Sequence, residues 1–196
     1  MRILSKIGIR TQAVCLALGI VVAMNITWWI NGRGVSMDPA LLPLATPAPP
    51  WTLADSQGRV YKLDNTKGSI VWLEFFATWC PHCRAMVDEL NQVARQPGVL
   101  VLAVNASEWG MGNTLGDRPR VTQADLTRFA DVTGATYPLL WDLGQGQAGA
   151  YKVHQYPTLY LLDRRGIIRA AYSRELPPKL VGSITNRALL ELWPTP

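Results

Sequence analysis

Residues 71–84 read VWLEFFATWCPHCR, and the reading of this stretch decides the fold. Its first half belongs to the nearly unbroken apolar run GSIVWLEFFAT (68–78), which suits a central strand buried on both faces. Glu74 is the only charge in that run. Trp79 follows, then Cys80 and Cys83, separated by Pro81 and His82. Proline fits the first helical position, where its missing N–H costs nothing. A helix therefore starts at Pro81 and runs to about Arg95, with Met86, Leu90, Val93 and Ala94 recurring on its buried face. Pro97-Gly98 ends it, and VLVLAVNAS (99–107) is a second buried strand.

A cysteine pair at this spacing has three chemical uses. A closed zinc site wants four ligands, commonly two such pairs. No second pair exists here, and His82 and His154 are the only histidines. As a structural disulfide the pair closes a very small loop and restricts little unfolded-chain entropy. A redox pair explains more of the context. Cys80 stands at the helix N-terminus, where unpaired amides and the helix dipole favour a thiolate. A positive charge on His82 adds to that. A low-pKa thiolate attacks disulfides and also leaves mixed disulfides readily. Cys83, one turn further on and more buried, is placed to resolve the mixed disulfide. C-x-x-C between a buried strand and a helix is a strong pattern for this chemistry.

The chain has 196 residues and three cysteines, the third being Cys15, so it is not a disulfide-rich scaffold. Its net charge of +5 is unevenly spread. Residues 1–37 hold Arg2, Lys6, Arg10 and Arg33 and no acid, leaving 15 basic against 14 acidic residues in the remainder. No basic surface for nucleic acid is indicated. Arg2, Lys6 and Arg10 precede AVCLALGIVVAMNITWWI (13–30), an uncharged run that as a helix spans about 27 Å, close to a bilayer's apolar thickness. Trp28 and Trp29 fall at its far end, where aromatic rings settle at an interface. The segment after it offers no A-x-A cleavage site. These features predict a cytoplasmic N-terminus (1–12), an uncleaved transmembrane signal-anchor (13–30) that contacts the lipid bilayer, and an extracytoplasmic remainder. Cys15 fills space in the span. Residues 31–50, which include MDPALLPLATPAPP (37–50), read as an extended, semi-stiff linker.

The folded domain is expected over 51–196. EWGMGNTLGDRPR (108–120) reads as a loop, and Thr122 with Asp125 resembles a capping box opening a helix over 122–133, stopped at Gly134. YPLLWD reads as a connecting segment and GQAGAYKV as a short helix. PTLYLLD (157–163) and IIRAAYS (167–173) read as a hairpin around DRRG. PPKLVGSITNRALLEL (177–192) reads as a closing helix with proline at its start. Strands alternating with helices, then a hairpin and a helix, indicate an α/β sandwich around a mixed sheet.

VWLEFFATWCPHCR resembles the active-site strand, Trp-Cys-x-x-Cys and helix start of the thioredoxin superfamily. VHQYPTLYLLDRRGIIRAAY (153–172) resembles that family's cis-proline stretch and following hairpin. With the N-terminal anchor and the inserted region at 108–134, the chain is most similar to the membrane-anchored TlpA/ResA-like group. The resemblance covers about 50–193. It implies a thioredoxin-like three-layer sandwich and a thiol–disulfide oxidoreductase with no cofactor beyond a redox-active Cys80–Cys83 disulfide. It also implies that Pro157 is cis beside the cysteines, with Tyr156 and Thr158 flanking it at a substrate-binding edge. Thioredoxins carry a buried Asp where Glu74 stands, which implies proton transfer to or from Cys83. Trp79, Pro81 and His82 then shape the site and tune the thiolate.

Several positions depart from the group. Members commonly carry Glu three residues after the second cysteine, where this chain has Met86. Tyr156 is bulky for the residue before the cis-proline. Trp109, Met111 and Trp141 are candidates for a substrate surface, and as aromatic or apolar residues also for core or loop anchors. His154 reads as an exposed loop histidine. The Pro-His dipeptide resembles that of DsbA-type oxidants, whereas TlpA/ResA-like scaffolds usually reduce particular disulfides, as in cytochrome c or copper-centre maturation, drawing electrons from a membrane thiol carrier. The reading favoured is a membrane-tethered reductase of periplasmic protein disulfides. Two alternatives stay open: a dithiol oxidase, and a non-catalytic module binding Cu(I) or a partner through its thiols.

Overall fold

The computed structural model describes residues 38–110 and 119–191. Strand β3 (Ile70–Phe76) is buried along its whole length. It lies between β4 (Val99–Asn105), which runs parallel to it, and β6 (Thr158–Leu162), which runs antiparallel. With both edges paired and both faces covered, its sequence is apolar almost throughout instead of alternating. The sheet is mixed and seven-stranded, in the order β2-β1-β5-β4-β3-β6-β7, with β1 (Thr52–Asp55), β2 (Val60–Lys62), β5 (Leu139–Trp141) and β7 (Ile168–Tyr172) as the outer members.

Side chains of β3 alternate between two cores. Ile70, Trp72 and Phe76 face α1 (Pro81–Ala94), α2 (Gln123–Thr133) and α4 (Leu180–Leu189). Val71, Leu73 and Phe75 face the opposite layer with Leu41, Trp51, Tyr151 and Tyr160. By this period of two, Glu74 falls on the α1 side. Trp72 is fully buried there, and its indole N–H donates to the Thr185 hydroxyl of α4 at 2.8 Å. Trp72→Ala is expected to cost about 3–5 kcal/mol through the cavity and lost burial. Urea titration of the variant checks this; a loss below about 1 kcal/mol would show that the site collapses around the cavity.

Helix α2 is stopped by Gly134 at φ 73°, the left-handed conformation glycine adopts without penalty. At its start the Thr122 N–H and hydroxyl both donate to the Asp125 carboxylate, at 2.8 and 2.7 Å. The short helix α3 covers Gly146–Ala150.

Three expectations are corrected. Residues 38–50, expected as linker, pack on the domain. Ala45 and Ala48 N–H groups donate to the Ile168 and Gly166 carbonyls, the Ile168 N–H donates to Thr46, and Leu41 and Ala48 are buried. This segment closes the outer edge of β7, a place where its prolines are tolerated. YPLLWD holds β5, which pairs with β4 and β1. Three residues are too few to show a period. The β1–β2 hairpin had no expectation for the same reason; its turn is held by the Asp55 carboxylate, which accepts from the Gln57 and Arg59 N–H groups, both at 2.9 Å. Helix α4 begins at Leu180 and not at Pro177, because Lys179 sits at φ 68° and breaks the helical path. The expected membrane segment at 13–30 lies outside the described residues. Among those described, no helix is long and apolar enough to cross a membrane.

Candidate active site

Cys80 is the N-cap of α1 and Pro81 its first residue. The turn from β3 is fixed by the Cys80 N–H donating to Ala77 O at 3.0 Å and by the Arg84 guanidinium donating to Thr78 O at 3.0 Å. The Cys80 sulfur accepts the Cys83 N–H at 3.2 Å. That cap satisfies one of the orphan amides every helix start carries. Both cysteines are free thiols, 2 % and 1 % exposed.

Their environments push them apart. The Cys83 thiol, then the Cys83 and His82 amides and the His82 charge, draw the Cys80 thiol down to about 6 against the opposing effect of burial. Burial pushes the Cys83 thiol up, and the neighbouring charges at Cys80 and Glu74 push the same way. Cys80 is therefore the thiolate at neutral pH and Cys83 the protonated partner. Such a split suits Cys80 chemically to attack and Cys83 to a later step.

Glu74 lies beneath them at 2 % exposure, and its Oε1 has no hydrogen-bond partner among the described residues. Burial, reinforced by the Cys80 charge, pushes its carboxyl up to about 8. A buried carboxyl in that range exchanges a proton near neutral pH.

The rim is built by residues distant in sequence. Trp79 Nε1–H donates to Ser107 Oγ at 3.1 Å and to Trp109 O at 3.0 Å. Its ring meets the Tyr156 ring edge-on, 5.8 Å between centroids. The Tyr156 hydroxyl donates to Ala106 O at 2.6 Å, and the Tyr156–Pro157 bond is cis, as the resemblance implied. Thr158 is buried and its hydroxyl donates to Gln155 O at 2.8 Å, so it braces the cis-proline turn from below. His82 is well exposed and pairs through Nδ1 with Glu175 Oε2 at 2.7 Å. That partner raises the imidazole above its ordinary range, by the hydrogen bond first and the charge second. His82, Tyr156, Arg174, Glu175 and Pro177 line a groove of ≈ 470 Å³ beside the cysteines.

The structure thus gathers Glu74, Trp79, Cys80, Pro81, His82, Cys83, Tyr156 and Pro157 at one end of the sheet. Met86 is buried, and its sulfur accepts the Leu176 N–H at 3.3 Å, so it anchors the segment that carries Glu175. Trp141 packs at the margin of the core on the α1 side. Trp109 is exposed under the Arg120 guanidinium, 5.0 Å from its ring centroid, and supports Trp79 through its carbonyl. Met111 lies outside the described residues. His154 is 3.5 Å from Asp38, a separate surface contact. Among the described residues, no three or more His, Cys, Asp or Glu side chains converge as a metal site.

Sequence reasoning missed Glu175 and Tyr137. Glu175 follows a hairpin far from His82 in sequence, and nothing local marks it. Tyr137 reads as an ordinary core aromatic, and only the orphaned hydroxyl inside the core sets it apart.

Residues 44–171 match the model of the AhpC/TSA family. A thiol-disulfide oxidoreductase ResA of Geobacillus thermodenitrificans (strain NG80-2) is 33% identical over 125 residues, which cover 62% of this chain and 64% of the relative. The chain therefore spans somewhat under two thirds of that relative's length. The thiol:disulfide interchange protein DsbE of Escherichia coli (strain K12) is 30% identical over 178 residues, covering 87% of this chain and 89% of the relative. A crystal structure of a putative thiol:disulfide interchange protein DsbE from Chlorobium tepidum superposes with a TM-score of 0.64 at 26% identity, over 76% of this chain and 99% of the other.

Proposed function

The chain belongs to the AhpC/TSA family, and on that premise we propose that it is a membrane-tethered thiol–disulfide oxidoreductase that reduces specific extracytoplasmic protein disulfides. The observation that carries this reading is the asymmetric cysteine pair. Cys80 is a thiolate at a helix N-terminus, and Cys83 beneath it holds its proton.

The Cys80 thiolate attacks one sulfur of a substrate disulfide. The Cys80–substrate S–S bond forms, the substrate disulfide breaks, and one substrate thiolate leaves. Cys83 then gives its proton to the Glu74 carboxylate and attacks Cys80 Sγ. The Cys80–Cys83 disulfide forms and the second substrate thiolate departs. Two electrons have passed to the substrate, and an external dithiol must return two to the protein. The redox group is the cysteine pair itself, with no further cofactor. The Tyr156 backbone, presented beside cis-Pro157, offers the substrate chain a short β-type pairing. A membrane thiol carrier as electron donor, the anchor at 13–30 in the lipid bilayer, a periplasmic catalytic domain and substrates in cytochrome c or copper-centre maturation complete the proposal.

Direction follows from how far the thiolate is stabilised. A strongly stabilised thiolate favours the reduced protein and makes an oxidant. A thiol at about 6 stands nearer thioredoxin, about 7, than DsbA, about 3.5. Glu175 also neutralises much of the His82 charge that would otherwise stabilise the thiolate further. His82 itself supports the second reading, a dithiol oxidase. Equilibration with a glutathione or dithiothreitol series decides between them. A potential near about −270 mV is expected, and one near about −120 mV would overturn the reductase reading in favour of the oxidase.

A further inference from the structure

Three buried oxygens on one face of the sheet have no hydrogen-bond partner among the described residues, Glu74 Oε1, Asn105 Oδ1 and the Tyr137 hydroxyl, and of these the Tyr137 hydroxyl is the one that can donate to a carboxylate. Register puts them in one compartment. Glu74 pairs with Ala103, and Ala103 with Leu139, so these three side chains leave the sheet on the same side. Tyr137 stands two residues before Leu139 and packs in the same core as Cys83, Met86 and Ala103. The residue between them in the row, Ala103, contributes only a methyl group. The hydroxyl feels charge on both Glu74 and Cys83, which, after burial, hold its proton more tightly.

Glu74 has to be ionised to accept the Cys83 proton. An ionised carboxylate only accepts hydrogen bonds, and a buried one without a donor is costly. Of the neighbouring donors on this face, Trp72 Nε1–H is taken by Thr185 and one Asn105 Nδ2–H by Ser107 O. The remaining titratable groups there are Cys80 and Cys83 from α1, Tyr156 beside the cis-proline, which feels both thiols, and Tyr172 from β7, whose charged neighbours are Arg187 and Arg174.

We propose that Tyr137 is a positioning residue for the resolving step: its hydroxyl donates to the ionised Glu74 carboxylate, directly or through one water, and so stabilises the base beside Cys83. The phenol keeps its proton throughout. The transferred proton moves from Cys83 Sγ to Glu74. This inference rests on the reading of Glu74 as proton acceptor.

The test uses 5,5′-dithiobis(2-nitrobenzoate) and stopped-flow absorbance on the full chain from pH 6 to 10. Attack by Cys80 releases one coloured thiolate and resolution by Cys83 a second, so the two phases separate. Tyr137→Phe removes one oxygen and keeps the ring. Its second phase is expected to slow about tenfold at pH 7, with the midpoint of the profile moved up by about one unit, the scale of one hydrogen bond to a charged group. The first phase should match the unsubstituted protein, and Tyr137→Phe should add nothing in a Glu74→Gln background. An unchanged second-phase profile in Tyr137→Phe, with Glu74→Gln altering it, overturns the inference alone. So does an equal Tyr137→Phe effect in the Glu74→Gln background. A Glu74→Gln profile identical to the unsubstituted protein removes the proton-acceptor reading and the inference with it.

Discussion

Cys80→Ser is expected to abolish thiol–disulfide exchange, a loss on the order of a thousandfold or more, the scale on which removal of a covalent nucleophile acts. Cys83→Ser gives a different failure. Its Cys80 still attacks, since the Cys83 backbone N–H that caps the sulfur at 3.2 Å survives the substitution. The mixed disulfide then has no resolving thiol and accumulates as a covalent adduct. Mass spectrometry under non-reducing conditions reads the adduct, and substrate turnover reads the loss. In the unsubstituted protein, alkylation of Cys80 should rise through about pH 6 and level off above it, because the thiolate is the reactive species. Turnover by Cys80→Ser, or normal turnover without adduct in Cys83→Ser, would rule out the assigned roles.

Glu74→Gln should change how stability depends on pH. In the folded protein burial keeps Glu74 protonated until about pH 8, whereas its ordinary value is 4.5. Between those values the unfolded chain has released a proton that the folded protein still holds. Stability therefore falls as pH rises through that window. At 1.36 kcal/mol per unit the full effect is on the order of 5 kcal/mol. Glutamine removes this contribution and leaves that of Cys80, whose depressed thiol adds stability as pH rises from about 6 towards its ordinary 9.0 in both proteins. It also leaves a buried amide in a pocket that already holds orphaned oxygens, at a cost of about 1–3 kcal/mol at every pH. The variant is therefore expected to be less stable at pH 5 and more stable at pH 8.5, with crossing curves in urea titrations. Asp38, Asp55 and Asp163 have depressed carboxyls and contribute their pH dependence below this window. His82 is common to both proteins and well exposed. Parallel curves from pH 5 to 8.5 would show that Glu74 does not stay protonated in the fold.

The helix start at Cys80-Pro81 and the central strand were legible because each carries a local signature. Pro81 suits only a few backbone positions, and Ile70–Phe76 is too apolar for anything but the middle of a sheet. The capping box at Thr122 and the hairpin at 158–172 were legible for the same reason. The short strands β1, β2 and β5 were not, since three or four residues leave no period to read. The docking of 38–50 was hidden by its prolines, which look like linker and serve as an edge cover.

By itself the sequence determined the cysteine pair, its place at a helix N-terminus and the carboxyl six residues upstream, because these depend on neighbours along the chain. Tertiary structure alone decided how strongly burial holds the Cys83 proton, how far Glu74 is raised, and that Glu175 reaches His82 and Tyr137 the Glu74 compartment. Those outcomes depend on burial and on charges brought together by strand order, and the field at a sulfur atom sums over neighbours in space.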